Sequence, residues 1–418
     1  MFSFLYNCLI FAFGIPSLLI QRCVKGKYKG VLLEKIGLRL PSISVQEQPV
    51  FWIHSVSLGE TKAAKPFILR LRKTYPDAYI VLSTMTETGF KEAHTMQDLN
   101  HIFYLPLDFS WTMKRLMRKL RPNAIFLIEN DVWYHWLYQA KRFGSKVYWL
   151  SAKLSENSFK RYRIFSIYAK KVFSLFDQIL AQTLLYKDRF RSFVPEEKLS
   201  IGGDLKYDAT VNRLSSEQKA EWQEKLGIKP NDFVITIACT HAPEEETILL
   251  SLKGFLEKNP TVKILLAPRH PERFSQVLDL LKKKNLSCSA LSQNSQDKNL
   301  ILIDKMGFLP TCYELSQLAI VGGSFAGNIG GHNILEPCLF HVPVLFGPYM
   351  HKQQDLKEKV LKAKAGELVF LQDLPTAIEY YFSNPEELAS KKWQAEKLVA
   401  SLRGSLEKSW KRVFSDRD

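Results

Sequence analysis

Short apolar runs alternate with polar or amphipathic stretches along almost the whole chain. Continuous apolar runs separated by helical segments are typical of buried parallel strands. The alternation therefore predicts an α/β fold with doubly wound sheets, whose functional residues lie just beyond the carboxyl ends of the strands. The predicted strands are 51–54, 79–82, 101–106, 124–128, 146–150 and 178–181 in the first half, and 233–238, 263–267, 301–303, 318–321 and 342–346 in the second.

The length of 418 residues is sufficient for two domains of ordinary size. A polar stretch between 205 and 228 separates the two series of strands, and we place the domain boundary there. The predicted organisation is an anchor with a basic flank, two Rossmann-like domains, and a terminal helix that packs back toward the N-terminal domain. The corresponding bounds are 1–30, 31–210, 211–390 and 391–418.

The N-terminus is almost wholly apolar from residue 2 to residue 20. No basic segment precedes this run and no small-residue cleavage site follows it, which argues against a removed signal peptide. The run just reaches the roughly 20 residues of one membrane span, although Asn7, Gly14 and Pro16 interrupt it, and a core helix is the alternative. The basic residues that follow, which predict a cytoplasmic body, are Arg22, Lys25, Lys27 and Lys29.

The chain is strongly basic, with a net charge of +16. Such a balance suggests an anionic partner, which could be nucleic acid, a membrane surface or a phosphorylated substrate. No RNP or KH signature supports nucleic acid. The basic and aromatic stretch 159–163 is either a solvated helix face or a contact for lipid headgroups. Six scattered cysteines without a CxxC pair argue against a zinc site or a disulfide scaffold.

Glu60 is the most interesting carboxylate of the first half. It follows Gly59 in a serine-rich loop that opens a helix, and the helix dipole favours its ionised form. It is either a partner of that dipole or a catalytic group. Glu129 and the stretch 84–89 also follow predicted strands, and Lys206 is either a surface lysine or a residue that reaches into an interdomain cleft.

The stretch 318–337 carries the strongest signal of the second half. A short strand runs into a glycine-rich loop and then into a predicted helix start at Asn333. Glycine density favours a helix N-terminus that binds an anion, with Glu336 free to take ribose hydroxyls. The alternative is a capping box, with Asn333 as N-cap and Glu336 as its partner.

Two further loops of the second half also suggest ligand binding. Arg269 and His270 stand between two prolines at a strand end, and a rigid cationic loop of this kind suits a phosphate or a carboxylate. Met306 and Gly307 form a loop whose backbone could pack against a nucleotide base.

Taken together, these motifs resemble the 3-deoxy-D-manno-octulosonic acid (Kdo) transferases of Gram-negative envelope synthesis, over nearly the whole chain. The matching motifs are HSVSLGE (54–60), STMTETG (83–89), ENDVW (129–133), GDLKYD (203–208), PRHPER (268–273), MG (306–307) and GGHNILEP (330–337). The resemblance implies the GT-B architecture, with two Rossmann-like domains facing across a cleft. It also implies inverting transfer of Kdo from CMP-Kdo to lipid A (lipid IVA), without a metal or cofactor, and leaves the number of Kdo additions open.

Carried over residue by residue, the resemblance makes Glu60 the catalytic base. The implied donor-binding residues are Arg269, His270, Met306, Gly307, Asn333 and Glu336, with Met306 and Gly307 near the cytosine. The implied residues of the cleft and acceptor side are Ser57, Thr88, Gly89, Lys91, Glu129 and Lys206. The chain departs from the family pattern at Glu87, at Asn130-Asp131, which replaces Thr-Glu, and at Lys91, where relatives carry arginine.

The implied partners are CMP-Kdo, a lipid A precursor and the inner leaflet of the inner membrane, with the body on the cytoplasmic side and no nucleic acid. Two alternatives remain. Another GT-B nucleotide-sugar enzyme, such as an epimerase, would need no membrane anchor. A non-enzymatic basic protein of the membrane surface would need neither Glu60 nor the glycine-rich loop.

Overall fold

The structure is a computed structural model that describes residues 2–25, 28, 30–43, 48–208, 213–293 and 298–414. Lys27 and Lys29 of the predicted basic flank and positions 209–212 of the predicted boundary lie outside the described residues. The chain divides into two compact units, Met1–Thr210 with Leu402–Asp418, and Val211–Ser401. Each unit contains a parallel seven-stranded sheet with helices around it, so the predicted α/β class is confirmed.

The first unit forms its sheet in the order β3-β2-β1-β4-β5-β6-β7, with every pair parallel. The strands are β1 (Val50–Ser55), β2 (Tyr79–Thr84), β3 (His101–Tyr104), β4 (Ala124–Ile128), β5 (Lys146–Ala152), β6 (Gln178–Ala181) and β7 (Leu199–Ile201). All six strands predicted for this half are present, and β7 is an additional edge strand. The strand order reverses between β1 and β4, which is where ligands bind in open α/β sheets.

The helices of the first unit are α1 (Phe2–Leu9), α2 (Ile15–Lys25), α3 (Leu32–Lys35), α4 (Leu58–Thr74), α5 (Glu87–Ala93), α6 (Ser110–Leu120), α7 (Tyr134–Arg142), α8 (Glu156–Ile164), α9 (Ser166–Phe173), α10 (Leu184–Phe190) and α19 (Ser405–Phe414). They cover both faces of the sheet. Because side chains alternate along a strand, Trp52 packs into the core on one face and Phe51 into the core on the other. Phe414 of α19 lies in the Phe51 core.

The predicted C-terminal helix is interrupted. It consists of α18 (Pro385–Leu402) and α19, and Gly404 between them has a φ of +93° that favours glycine. Asp208 accepts hydrogen bonds from the backbone N–H of Gly404 (2.6 Å) and of Leu406 (2.7 Å). Asp208, the last described residue before the predicted domain boundary, therefore fixes the start of α19.

The second unit forms its sheet in the order β10-β11-β9-β8-β12-β13-β14. The strands are β8 (Phe233–Thr240), β9 (Val262–Pro268), β10 (Cys288–Ala290), β11 (Leu300–Leu302), β12 (Leu318–Val321), β13 (Val344–Phe346) and β14 (Gly366–Leu368). The prediction that 342–346 holds the last strand is wrong, because β14 follows it, and β10 was not predicted either. The order reverses between β8 and β12.

The helices of the second unit are α11 (Ser216–Lys225), α12 (Glu244–Lys258), α13 (Phe274–Lys283), α14 (Leu309–Leu315), α15 (Leu335–Cys338), α16 (Gln354–Lys362), α17 (Leu374–Ser383) and α18. α12 packs against β8 and β9 through the apolar side chains of Ile248, Leu249 and Leu252. These contacts place the N-terminus of α12 at the carboxyl edge of the sheet, since β8 leads directly into it.

The N-terminal segment is helical from Phe2 to Val24, with one π-helical turn at Ile10–Gly14, and is long and apolar enough to cross a membrane. One face of this segment packs against the rest of the first unit. Ser3 Oγ lies 2.8 Å from His135 Nε2, and Asn7 exchanges two hydrogen bonds with Ser110. The opposite face is exposed, and Phe13 shows 70% of its surface. The segment is therefore not a core helix, and Asn7, which interrupts the apolar run, is a contact residue.

Candidate active site

Glu60 stands in the first turn of α4, just beyond the carboxyl end of β1. Ser57 is the N-cap, and its Oγ accepts the Glu60 N–H at 3.4 Å. The carboxylate bends back, so that Oε2 accepts the Val56 N–H at 2.6 Å. The side chain is 6% exposed. Oε1 has no hydrogen-bond partner among the described residues, so it is the oxygen that can receive a proton from a ligand.

The peptide of Val56 is fixed from both sides. The hydroxyls of Thr84 and Thr86 donate to its carbonyl at 3.1 and 3.0 Å, which ties the loop after β2 to the loop after β1. Gly89 allows this arrangement, because a Cβ there would lie 2.6 Å from Thr84 Oγ1 and 3.2 Å from Thr61 Oγ1. Close packing therefore explains Gly89, and the threonines hold the Glu60 carboxylate in place through Val56.

The pKa of Glu60 is raised from 4.5 to about 7. Burial is the main cause, the Val56 N–H opposes it, Glu129 and Asp131 add to it, and Lys206 opposes it. The prediction that the helix dipole keeps Glu60 ionised is therefore wrong, because desolvation outweighs the dipole. A carboxylate that titrates near neutral pH suits proton transfer better than one that is always ionised.

Glu129 and Lys206 form an ion pair beside Glu60. Glu129 directly follows β4, is buried, and has a φ of +63°, a strained conformation that clusters at functional sites. Burial lowers the pKa of Lys206, but Glu129, Asp204 and Glu60 outweigh burial, so that the pKa is raised. Lys206 is therefore a fixed cation. Because Glu60 follows β1 and Glu129 follows β4, the group stands where the strand order reverses.

The sequence reasoning missed a buried network around Asp131. His54 Nε2 lies 3.3 Å from Asp131 Oδ2, and His54 Nδ1 lies 2.8 Å from Ser83 Oγ. Lys35 is fully buried and donates to the Met85 carbonyl at 3.0 Å, and burial lowers its pKa to about 7 although Asp131 opposes the shift. Asp131 had a sequence signal, since it departs from the family pattern, whereas nothing near Lys35 in the chain indicated its burial.

The other predicted acceptor-side residues lie on α5. Thr88 and Lys91 are exposed, and no hydrogen bond or ion pair joins either of them to Glu60. Ser57, Glu129 and Lys206 are thus the predicted residues that the first unit brings to Glu60. Within the part of the chain that the structure describes, no group of three His, Cys, Asp or Glu side chains could hold a metal ion.

Arg269 and His270 directly follow β9 in the second unit. The Arg269 N–H donates to the Thr240 carbonyl at 3.1 Å, and both side chains are exposed. His270 Nδ1 lies 3.5 Å from Glu272 Oε1. Met306 and Gly307 lie on the loop after β11, where Gly307 has a φ of +77°. No hydrogen bond or ion pair among the described residues joins these two to Arg269.

The glycine-rich loop after β12 is held by Glu244, the first residue of α12. This carboxylate is 1% exposed. Its Oε2 accepts the N–H groups of His241 (3.0 Å) and Gly323 (2.7 Å), and its Oε1 accepts the N–H of Phe325 (2.9 Å). The sequence reasoning missed this role, because an acid at a helix start is common and its partners are distant in the chain.

The helix N-terminus predicted at Asn333 is wrong. α15 has four residues, Leu335–Cys338, and its N-cap is Ile334. A single turn has little macrodipole to offer an anion. The capping box is absent from this described turn, where Asn333 Oδ1 accepts the Leu335 N–H at 3.1 Å. Packing also explains glycine here, since a Cβ on Gly331 would lie 2.3 Å from the sulfur of Met350.

Arg269 and Glu336 nevertheless both lie within electrostatic range of Cys239. Burial raises the pKa of Cys239 to about 12, Glu336 adds to the shift, and Arg269 opposes it. His332 of the glycine-rich loop lies against the side chain of His241, with the two Nε2 atoms 2.7 Å apart. The second unit thus collects cations and histidines at the carboxyl ends of β8, β9 and β12.

Two parallel-sheet α/β units of this kind are the organisation of the GT-B class of glycosyltransferases. The family described as 3-deoxy-D-manno-octulosonic-acid transferase (kdotransferase) matches residues 32–209. A 3-deoxy-D-manno-octulosonic acid transferase of Chlamydophila psittaci is 34% identical over 93% of this chain and 90% of its own length. Another, from Haemophilus influenzae, is 34% identical over 77% of this chain and 76% of its own length. Within the GT-B class, the chain therefore belongs to the 3-deoxy-D-manno-octulosonic acid transferase family.

A solved structure with the same fold is the UDP-GlcNAc 2-epimerase from Neisseria meningitidis bound to UDP-GlcNAc. It matches with a TM-score of 0.62 at 16% identity, over 88% of this chain and 99% of that chain. At this identity the likeness shows the fold alone. The transferase relatives therefore decide against the epimerase alternative and against a non-enzymatic protein.

Proposed function

We propose that this enzyme transfers Kdo from CMP-Kdo to a lipid A precursor, with inversion at the anomeric carbon, at the cytoplasmic face of the inner membrane. The observation that carries the proposal is the buried Glu60, whose pKa is raised to about 7 and whose Oε1 has no hydrogen-bond partner among the described residues. The donor and the acceptor follow from the family resemblance.

In the proposed reaction, Glu60 Oε1 accepts the proton of an acceptor hydroxyl. The hydroxyl oxygen then forms a bond to the anomeric carbon of Kdo, while the bond from that carbon to the phosphate oxygen of CMP breaks. CMP leaves with the electron pair. A single displacement inverts the configuration and needs one base. Lys206 compensates the charge of Glu129 beside Glu60, so that Glu60 can lose its proton again afterwards.

For the donor, we assign the cation of Arg269 to the phosphate, which an arginine fork binds through two hydrogen bonds. His270 adds a second donor group on the same loop. Asn333 and Glu336 are assigned to the ribose and Kdo hydroxyls, and Met306 with Gly307 to the cytosine. The electrostatic effect that both Arg269 and Glu336 exert on Cys239 supports this grouping. In domain terms, 211–390 is the proposed donor domain.

For the acceptor, we assign the N-terminal domain, 31–210. Lys91 and Thr88 are exposed on α5, where a cation and a hydroxyl can meet a phosphorylated lipid. Ser57, Glu129 and Lys206 surround the reacting carboxylate. Gly89 has a packing role in addition, so any contact it makes with the acceptor is through its backbone.

The membrane location is proposed from the apolar N-terminal helix, whose outward face is exposed. The junction of α8 and α9 also exposes apolar side chains, and Ile167 shows 83% of its surface. Lys170 and Lys171 follow in α9, and cations next to an apolar surface suit anionic headgroups. We expect both segments to contact the inner leaflet, with the N-terminal helix as the anchor.

Deletion of residues 2–20 tests the anchor. The shortened protein should leave membranes at moderate salt, because the remaining charge-based contact is screened by ions whereas an inserted apolar helix is not. Flotation with vesicles across a salt series measures this. Binding of the shortened protein that persists at high salt would show that another surface is the anchor.

The activity is tested by incubating full-length protein in membranes with CMP-Kdo and a lipid A precursor. We expect a glycolipid product whose anomeric configuration, read by NMR, is opposite to that of the donor. Retention of configuration would overturn the mechanism. Failure to use CMP-Kdo would overturn the donor, and mass spectrometry of the product counts the Kdo residues added.

A further inference from the structure

His241 and His332 form a direct imidazole pair in the second unit. Their Nε2 atoms are 2.7 Å apart, and their ring planes differ by 10°. The ring centroids are 5.0 Å apart, which is the nitrogen separation plus one ring radius on each side. The rings therefore meet edge to edge in one plane, and a single proton between the two Nε2 atoms makes an N–H···N hydrogen bond.

The pair stands where the strand order of the second sheet reverses. His241 directly follows β8, and His332 lies on the loop after β12, the strand next to β8. The buried carboxylate of Glu244 fixes both loops, since it accepts the N–H groups of His241 and Gly323. The pair is thus a built feature of the crevice in which ligands of open α/β sheets bind.

Cations surround the pair. The neighbouring ionisable groups are Arg269 and His270 after β9, Arg273 and Glu245 at the helix starts, and Lys352 after β13. Burial lowers the pKa of His332 to about 4, and His241, Arg269, His270 and Lys352 add to the shift. Burial also lowers the pKa of His241, with His270 adding to it and Glu245 opposing it. Without a ligand the pair is therefore neutral at physiological pH.

We infer that the His241–His332 pair is a further donor-binding element, which takes up one proton when the phosphate of the donor enters this crevice. The inference rests on the proposed function, in which Arg269 binds that phosphate. An anion among these cations offsets their repulsion, which adds to burial in keeping the pair neutral, and it favours an imidazolium beside it.

The proton balance of the pair is simple. In the neutral pair, the ring that donates from Nε2 has a free Nδ1. The additional proton comes from solvent and binds at that Nδ1, so the bond between the two Nε2 atoms persists. The donating ring becomes an imidazolium, which strengthens the hydrogen bond to its partner and presents a new N–H group. The pair therefore matches its charge to the charge of the ligand.

Calorimetric titration of the full-length protein with CMP at pH 6, in two buffers of different ionisation enthalpy, counts the protons taken up. The variants are His241→Gln and His332→Gln. His341→Asn is the control, because this histidine belongs to the same unit and asparagine tolerates its φ of +61°. CMP changes its own protonation in every variant alike, so the difference between proteins is the diagnostic quantity.

We expect the wild type and His341→Asn to take up a large fraction of one proton more than either glutamine variant. Equal uptake in all four proteins would overturn the inference while leaving the proposed transfer intact. Transfer activity that fails although CMP binds with this proton uptake would overturn the proposed acceptor or donor sugar instead. Absence of CMP binding by the wild type would overturn both.

A second measurement uses the wild type alone and does not depend on how the variants fold. Ring nitrogen chemical shifts of the histidines are recorded at pH 6 with CMP and with cytidine, which lacks the phosphate. One ring should move toward the imidazolium position with CMP and stay in place with cytidine. Unchanged shifts with saturating CMP would contradict the inference.

Discussion

The two sheets present opposite chemistry at the point where their strand order reverses. In the first unit, this point carries the carboxyl groups of Glu60, Glu129 and Asp131 with one strong cation, Lys206. In the second unit, it carries Arg269 beside the histidines His241 and His332. The same strand topology therefore holds the proposed proton acceptor in one unit and the proposed anion site in the other.

The sites also differ in exposure. Glu60 is buried and fixed through Val56, whereas Arg269 is exposed and, among the described residues, is held through its backbone N–H. Burial tunes the pKa of an acid, which is what proton transfer needs. A guanidinium needs no tuning, because it is always charged. Each site thus has the burial that its proposed task requires.

The largest effect is expected for Glu60→Gln, which removes the base and keeps the shape. Transfer should fall roughly 10²- to 10⁴-fold, while CMP binding stays normal. Initial rates and CMP titrations measure both. Glu217→Gln, the same change in the first turn of α11, is the matched control and should stay near wild type. Near-normal transfer by Glu60→Gln would reduce Glu60 to a partner of its helix.

The same variant has an effect on stability that depends on pH. The pKa of Glu60 is raised from 4.5 to about 7, so the folded protein holds this proton more tightly than the unfolded chain does. The stabilisation is complete below pH 4.5 and is lost as the pH rises through 7, by about 3 kcal/mol in all. Glu60→Gln should therefore gain stability relative to wild type from pH 5 to pH 8. Melting temperatures of the two proteins that change in parallel from pH 5 to pH 8 would contradict the raised pKa of Glu60.

Arg269→Ala should weaken CMP binding roughly 10- to 100-fold, because it removes a charge-assisted hydrogen bond to the phosphate. The CMP affinity of Arg269→Lys should lie between those of the wild type and Arg269→Ala, since lysine keeps the charge and loses the guanidinium fork. Lys258→Ala, at the far end of α12, removes an exposed cation elsewhere in the unit and should bind CMP normally. If all three bind alike, the phosphate is held by other residues.

Smaller effects, of opposite sign, are expected on the pH dependence of transfer when Lys206 and Glu129 are replaced. Lys206→Met removes a cation that lowers the pKa of Glu60, and Glu129→Gln removes an anion that raises it. The acid limb of the rate profile should move up by about one pH unit in the first variant and down in the second. Profiles that move in the same direction would show that the limb does not report Glu60.

The smallest effects are expected for two turn residues, and that of Ser57→Ala is the larger of the pair. The variant loses the N-cap of α4, which costs about 1 kcal/mol, and leaves the carboxylate bound to Val56. Asn333→Ala removes the corresponding turn residue of the second unit, where the helix that follows has only four residues, and should melt closer to wild type. Melting temperatures of the two variants settle the comparison, and a larger loss for Asn333→Ala would reverse it.

Much of the fold was predictable from local sequence, since every strand of four or more residues contains a run of at least three apolar residues. The strands that escaped prediction are the three-residue β7, β10 and β14. Each contains a polar residue at its centre, Ser200, Ser289 or Glu367, so no apolar run marks it. Such short edge strands form because a neighbouring strand offers hydrogen bonds, which is a property of the assembled sheet.

The candidate sites were predictable in position and less so in chemistry. Glu60 was found because a strand, a loop and a helix start adjoin it in the chain. Its raised pKa depends on burial and on Glu129, Asp131 and Lys206, which join it only in the folded unit. The His241–His332 pair joins residues 91 positions apart. No local pattern reports contacts of that range.

Asp208 joins the two points of the first unit between which the second unit is inserted. Its carboxylate holds the N–H groups of Gly404 and Leu406, so the chain leaves the first unit and re-enters it at one point. In the language of protein engineering, residues 211–401 are an insertion whose flanking residues Asp208 and Gly404 lie together, and domains of that kind can be exchanged as cassettes. A short glycine linker across the two ends would keep α19 on its own core, and Asp208 is the residue that such a graft must retain.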